Sequence, residues 1–294
     1  MMSIGFLGLG RMGGPMASRL VGHAELVVHD ASSEAVDALV AQGAQAAGSA
    51  RELGEQCEIV FLSLPTPAIV REAVLGAEGV AAGDTVKLIC DLSTSGPGLA
   101  QELDAALRER NITSLDAPVS GGIKGAREGT LAIMAGGPEA AWETARPLLE
   151  HIGKPFYMGA TPGAGQTMKL VNNLLSLTAI AVTAEGMALG IKAGLDPARM
   201  IEVLNSGTGA NSATRDKWPR AVLPRRFDFG FSAALSLKDT KLLLDEAAAM
   251  GVPTPIGAVV EDLLNRTLAT YGVDADFTEI AKVVEEAAGL DPGR

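Results

Sequence analysis

The chain has 294 residues, with 24 Lys and Arg against 35 Asp and Glu, a formal charge of −11 at pH 7. That balance excludes a nucleic-acid surface, because neutralising a phosphate backbone takes grouped cations and here Lys and Arg come singly or in pairs such as Arg225-Arg226. With 47% hydrophobic and 20% charged residues the chain is globular rather than disordered, and at roughly 150 residues per domain its length predicts two domains.

From residue 3 to about residue 158, β-rich runs alternate with stretches of helical period. Strands are expected at 3–7, 26–30, 59–64, 86–92, 113–116, 131–135 and 155–158, with helices at 12–21, 33–41 and 98–110 between the early ones. This alternation predicts an α/β domain of the Rossmann type, a doubly wound, mostly parallel sheet covered on both faces, spanning residues 1–162. Beyond the glycines at 159–165 no strand pattern remains. A proline-free helix is expected over 168–193, stopped by Gly194, and Asp196-Pro197 supplies an N-cap and first-turn proline for the next helix. Further helices are expected at 232–250, 257–271 and 278–288, so residues 163–294 read as an all-helical C-terminal domain opened by one long helix.

The longest uncharged stretch, 170–184, is shorter than the ~20 residues of a membrane span and contains Asn172, Asn173, Ser176, Thr178 and Thr183. A buried central helix is expected instead, and no membrane partner. Cys57 and Cys90 lie in or beside apolar runs and read as buried thiols, while His23, His29 and His151 show no ligand spacing, so no metal is expected. No basic leader precedes the first apolar run, which favours a soluble, cytoplasmic protein.

Gly8, Leu9, Gly10, Arg11, Met12 and Gly13 follow the first strand and open the first helix. In such a G-x-G-x-x-G turn the first glycine permits the tight turn, the second lets a pyrophosphate approach the backbone, and the third lets helix and strand pack closely. Asp30 closes the second strand, where a carboxylate accepts hydrogen bonds from ribose hydroxyls and repels a 2′-phosphate. With no Lys or Arg at 31–33, NAD is favoured over NADP. The alternative for Asp30 is a cap on the following helix.

Leu64, Pro65 and Thr94 fall at the ends of later strands, where ligands of open α/β sheets lie. Ser120 with the amides of Gly121 and Gly122 forms a donor set suited to a carboxylate. Lys124 beside them is either a second anion contact or, as expected, solvated. Lys169 and Asn173, four residues apart, share one face of the long helix, where an amine and an amide facing an interdomain cleft can move a proton and orient a hydroxyl.

Four segments, Gly8-Leu-Gly-Arg-Met-Gly-Gly-Pro-Met-Ala17, Asp116-Ala-Pro-Val-Ser-Gly-Gly122, Gly163-x-Gly165-x3-Lys169-x3-Asn173 and Lys238-Asp239, resemble in order the signatures of the β-hydroxyacid dehydrogenases. The resemblance covers roughly residues 3–289. It implies an NAD-dependent oxidoreductase that interconverts a small, anionic β-hydroxyacid and its semialdehyde or oxo acid. It also implies Lys169 as catalytic acid and base, Asn173 as the hydroxyl-orienting amide, and Ser120, Gly121 and Gly122 as the substrate-carboxylate loop. Leu64, Pro65, Thr94 and Lys238 are implied as cofactor contacts, and a homodimer or homotetramer through the helical domain. Two alternatives stay open: reduction of an aldehyde acid, as in tartronate semialdehyde reductases, and a non-catalytic dinucleotide sensor.

Overall fold

The computed structural model describes residues 3–291. The chain divides into two compact units, the first ending at Lys169 and the second beginning at Leu170.

The first unit carries nine strands: β1 (Ser3–Leu7), β2 (Glu25–His29), β3 (Gln45–Ala46), β4 (Ile59–Leu62), β5 (Leu88–Asp91), β6 (Thr113–Asp116), β7 (Val119–Ser120), β8 (Leu131–Gly136) and β9 (Gly153–Gly159). They form one sheet in the order β3-β2-β1-β4-β5-β6-β8-β7, with β9 also on β8. The strands β1 to β6 pair in parallel, β8 runs antiparallel to β6 and β7, and β9 returns parallel to β8. The order reverses beside β1, which is where an open α/β sheet makes its ligand crevice.

Strands buried on both faces need apolar side chains at consecutive positions, as Ile59-Val-Phe-Leu62 supplies. Alternation then splits each strand between two cores. Ile4, Phe6, Ile59 and Phe61 pack with Met16 of α1 (Gly13–Ser18), Leu39 of α2 (Ser33–Val40) and Leu149 of α7 (Glu139–Ile152). Leu7, Val60 and Leu62 pack with Leu53 of α3 (Ala50–Gln56), Val70 of α4 (Pro67–Leu75) and Leu103 of α5 (Pro97–Arg108). Each such side chain, fully buried, stabilises the fold by about 1.5–3 kcal/mol relative to exposure.

Two features depart from expectation. The segment between the strands expected at 113–116 and 131–135, where no helix is expected, contains α6 (Gly122–Glu128), entered through Gly121 at φ 136 and Gly122 at φ 65. The long helix α8 (Ala164–Lys192) starts earlier than its apolar pattern and is only half buried. Leu177, Ile180, Ala184 and Met187 enter the core of the second unit, whereas Val171, Leu175, Val182 and Leu189 are exposed. A helix apolar all round buries only the face its own unit covers. By length and composition α8 is the one helix among the described residues apolar enough to cross a membrane.

The second unit continues with α9 (Pro197–Ser206), a π-helical segment (Ala213–Val222), α10 (Ala233–Ala249), α11 (Pro255–Tyr271) and α12 (Ile280–Ala287). Asp196 caps α9 as anticipated, accepting from the Arg199 amide at 2.8 Å. Trp218, Phe277 and Val260 join α8 in its core, and Arg225 pairs with Glu285 through two parallel contacts of 2.8 Å.

Candidate active site

Two of the loop glycines are required by the protein's own packing. Gly8 turns at φ 93, and a Cβ there would lie 2.4 Å from the Ser63 carbonyl oxygen. A Cβ on Gly13 would lie 1.9 Å from the Gly8 carbonyl oxygen. Gly10 is exposed, and a Cβ there would meet nothing within 4 Å, so its backbone faces the open room a pyrophosphate needs. Met12 offers no side-chain acceptor at the start of α1, which leaves the first amides available to an anion. Leu9 is buried and Arg11 exposed.

Asp30 lies just past β2. Its Oδ2 accepts from the Leu9 amide at 2.6 Å and its Oδ1 from the Ser32 amide at 2.8 Å. Ser32 rather than Asp30 caps α2, accepting from the Ala35 amide at 3.3 Å. The carboxylate thus pins the glycine turn to the end of β2, while its spare lone pairs remain acceptors for ribose hydroxyls. These residues fit the adenosine half of NAD.

Leu64, Pro65 and Thr94 follow β4 and β5, and the Leu64 amide donates to Ser93 Oγ at 2.9 Å. Asp116, at the end of β6, is buried and accepts from the amides of Gly163 at 2.7 Å and Gln166 at 2.8 Å. Burial pushes its carboxyl up to about 6, with those two amides opposing and Asp91 reinforcing the rise. Ser120 closes β7 and is half-buried, and Gly121 and Gly122 are exposed at the start of α6. The first-turn amides of a helix lack intrahelical partners, so this turn can receive a carboxylate. Lys124 is solvated, its side chain 69% exposed and its amine 3.9 Å from Glu128.

Lys169 and Asn173 lie one turn apart on α8, both partly buried. Asn173 Nδ2 donates to Asp239 Oδ2 at 2.7 Å, and Lys238 Nζ lies 2.9 Å from Asp239 Oδ1. A carboxylate only accepts, so Asp239 dictates which end of the Asn173 amide faces it. Asp239, 3% exposed, therefore belongs to the site, although the sequence marked it only as Lys238's neighbour. Gln166, fully buried one turn before Lys169, was not anticipated either. Lys217 is a third surprise: it is 5% exposed and its amine donates to Ser212 Oγ at 2.8 Å. Two of the dispersed histidines also meet, His23 and His151 stacking with ring centroids 3.7 Å apart.

A doubly wound sheet with an open glycine turn and a carboxylate closing β2 has the features of an NAD-binding domain. Comparison with known proteins makes the class specific. Residues 3–160 match the family model of the NAD binding domain of 6-phosphogluconate dehydrogenase, and residues 163–284 match that of the NAD-binding of NADP-dependent 3-hydroxyisobutyrate dehydrogenase. A 3-hydroxyisobutyrate dehydrogenase of Pseudomonas aeruginosa is 42% identical, covering 96% of this chain and 98% of its own. An NAD-dependent L-serine dehydrogenase of the same organism is 38% identical over 98% of this chain and 100% of its own. The solved 3-hydroxyisobutyrate dehydrogenase of Mycobacterium tuberculosis with L-serine superposes with a TM-score of 0.88 at 34% identity, covering 97% of this chain and 99% of that one. The chain belongs to the β-hydroxyacid dehydrogenase family. It is an NAD-dependent oxidoreductase that interconverts a hydroxyacid and the corresponding semialdehyde or oxo acid.

Proposed function

We propose that the chain oxidises a small β-hydroxyacid with NAD in preference to NADP, using Lys169 as the proton-transfer group. NAD, when bound, accepts hydride from the carbon that carries the hydroxyl. The amine of Lys169 takes the hydroxyl proton as that carbon becomes a carbonyl, and its ammonium returns a proton in the reverse direction. Asn173 has one Nδ2 hydrogen committed to Asp239, and the other orients the substrate oxygen. Ser120 and the amides of Gly121 and Gly122 receive the carboxylate. Leu64, Pro65, Thr94 and Lys238 contact the nicotinamide half of the cofactor, and the placement of Asp30 against the Leu9 amide supports NAD over NADP.

The observation that carries this reading is an amine and an amide one turn apart on α8, with the amide's orientation fixed by a buried carboxylate. The test is NADH formation from a panel of short hydroxyacids with NAD and NADP in parallel, for wild type and Lys169→Ala. Turnover with NAD is expected in the wild type and none in the variant, while NAD still binds to both. A variant that keeps most of its turnover removes Lys169 from the mechanism, and NADPH formation as fast as NADH formation refutes the cofactor preference.

We also infer that copies of the chain associate through the second unit. Its exposed Val171, Leu175, Val182 and Leu189 fall on one stripe of α8. A cavity of ≈ 610 Å³ opens beside that helix between Val182, Met187, Leu195, Met200, Val203 and Leu204, and none of the anticipated site residues lines it. Contiguous exposed apolar surface of this kind marks an association face.

A further inference from the structure

We propose that Gln166 is a positioning residue that sets where Lys169 stands relative to the carboxyl ends of β4 and β5; this rests on the reading of Lys169 as the proton-transfer group.

The Gln166 side chain is fully buried, and both the oxygen and the nitrogen of its amide are engaged across 70 or more positions of sequence. Its Oε1 accepts from the amides of Ser95 at 3.0 Å and Gly96 at 3.1 Å, and its Nε2 donates to the Ser93 carbonyl at 2.8 Å. The segment it grips is itself held at both ends. Asp91 accepts from the Ser93 amide at 2.9 Å and from Ser95 Oγ at 2.6 Å, and Ser93 Oγ accepts from the Leu64 amide at 2.9 Å. One run of hydrogen bonds therefore connects Leu64 behind β4, the turn containing Thr94 behind β5, and the first turn of α8.

The same helical turn is fixed from a second direction by Asp116 at the end of β6, through the amides of Gly163 and Gln166. It also has no slack: a Cβ on Gly165 would lie 2.0 Å from the Met134 carbonyl oxygen and 2.8 Å from Asp116 Oδ2. Lys169 follows Gln166 by three residues on the same side of the helix. An apolar side chain of similar volume would fill the space without burying an amide. What glutamine adds is register, a fixed offset between the turn that bears Lys169 and the strand ends that bear the expected nicotinamide contacts. Misplacement by about 1 Å costs on the order of 10²-fold in a reaction governed by orientation.

The experiment compares wild type, Gln166→Met, Gln166→Glu and Lys169→Ala in steady-state oxidation of the best hydroxyacid, with NAD affinity measured directly. Gln166→Met is expected to lower kcat by about 10- to 100-fold with NAD affinity unchanged within about threefold, because the glycine turn and Asp30 are untouched. Gln166→Glu separates register from mere folding. Its protonated acid reproduces both the acceptor and the donor of glutamine, whereas its carboxylate cannot donate to the Ser93 carbonyl and joins a hydrogen-bond network that already holds Asp91 and Asp116. Its kcat relative to wild type is therefore expected to rise as pH falls from about 8 to about 6. A folded Gln166→Met enzyme within about twofold of wild-type kcat overturns the proposal. If that variant does not fold, a Gln166→Glu ratio that stays flat with pH overturns it. An active Lys169→Ala enzyme defeats the reading of Lys169, whereas an inactive one beside normal Gln166 variants defeats only the assignment of Gln166.

Discussion

Asp116 in the first unit and Lys217 in the second are both buried charges, and their surroundings have little in common. Asp116 sits where parallel strands end and a helix begins, so unpaired backbone amides are at hand and two of them donate to it. Lys217 lies inside a π-helical segment among helices whose backbone groups are spent on one another, and among the described residues its one hydrogen-bond partner is the Ser212 hydroxyl, with no ion pair. Burial pushes its amine down to about 8 against the pull of neighbouring Asp216. Sheet ends thus supply backbone donors to a buried charge, whereas among packed helices a buried charge depends on side-chain partners, which Asp239 finds in Asn173 and Lys238, and which Lys217 finds, among the described residues, only in Ser212. Apolar surface shows the same contrast. Twelve of the sixteen large hydrophobic side chains exposed among the described residues belong to the second unit, from Val171 to Val273, which is why the association we propose is placed there.

Breaking the proposed association face has the largest expected effect. Leu175→Asp combined with Leu189→Asp, positions 65% and 75% exposed in the single chain, should reduce the mass in sedimentation equilibrium to that of one chain. An unchanged mass would move the interface elsewhere. Next, replacing Lys217 with Met removes an unpaired buried charge and should raise stability at pH 7 by up to about 3 kcal/mol in urea unfolding. The wild type should approach the variant as pH rises, because the cost of the buried ammonium is full below about 8 and vanishes toward the ordinary lysine value of 10.5. A destabilised Lys217→Met would mean that the amine is held by more than Ser212.

The smallest effect belongs to Asp116. Its folded carboxyl titrates near 6 and its unfolded one near 3.8, so ionisation opposes folding: the penalty is absent below 3.8 and complete above 6. Stability should therefore fall by about 2–3 kcal/mol across that window from this group, and Asp116→Asn should flatten the slope. A wild-type curve without that slope would show that its backbone donors offset burial in full.

Much of this was legible in the chain. The limits of β1 and β6 coincide with the apolar runs that predict them, and the glycine turn occupies its expected place because Gly8 and Gly13 are sterically forced. Two-residue strands such as β3 and β7 are too short to show a period. The helix α6 was hidden by its glycines, which are poor helix formers. The early start of α8 depends on Asp116, an acceptor for Gly163 and Gln166 that lies 47 and 50 positions away, which no local pattern can reveal. For the same reason Lys169 and Asn173 were visible as a spacing, whereas Gln166, Asp239 and Lys217 emerged only once distant segments met.

The continuous backbone of α8 between Lys169 and Asn173 has a geometric consequence of its own. Their separation along the axis is about 6 Å and their angular offset about 40°, both dictated by helical rise and pitch. Rearrangement of loops on either side leaves these two values alone, so the two positions keep their phase on the helix. A single residue inserted between them would rotate Asn173 by about 100° about the axis and part it from Asp239, uncoupling the pair without altering either side chain.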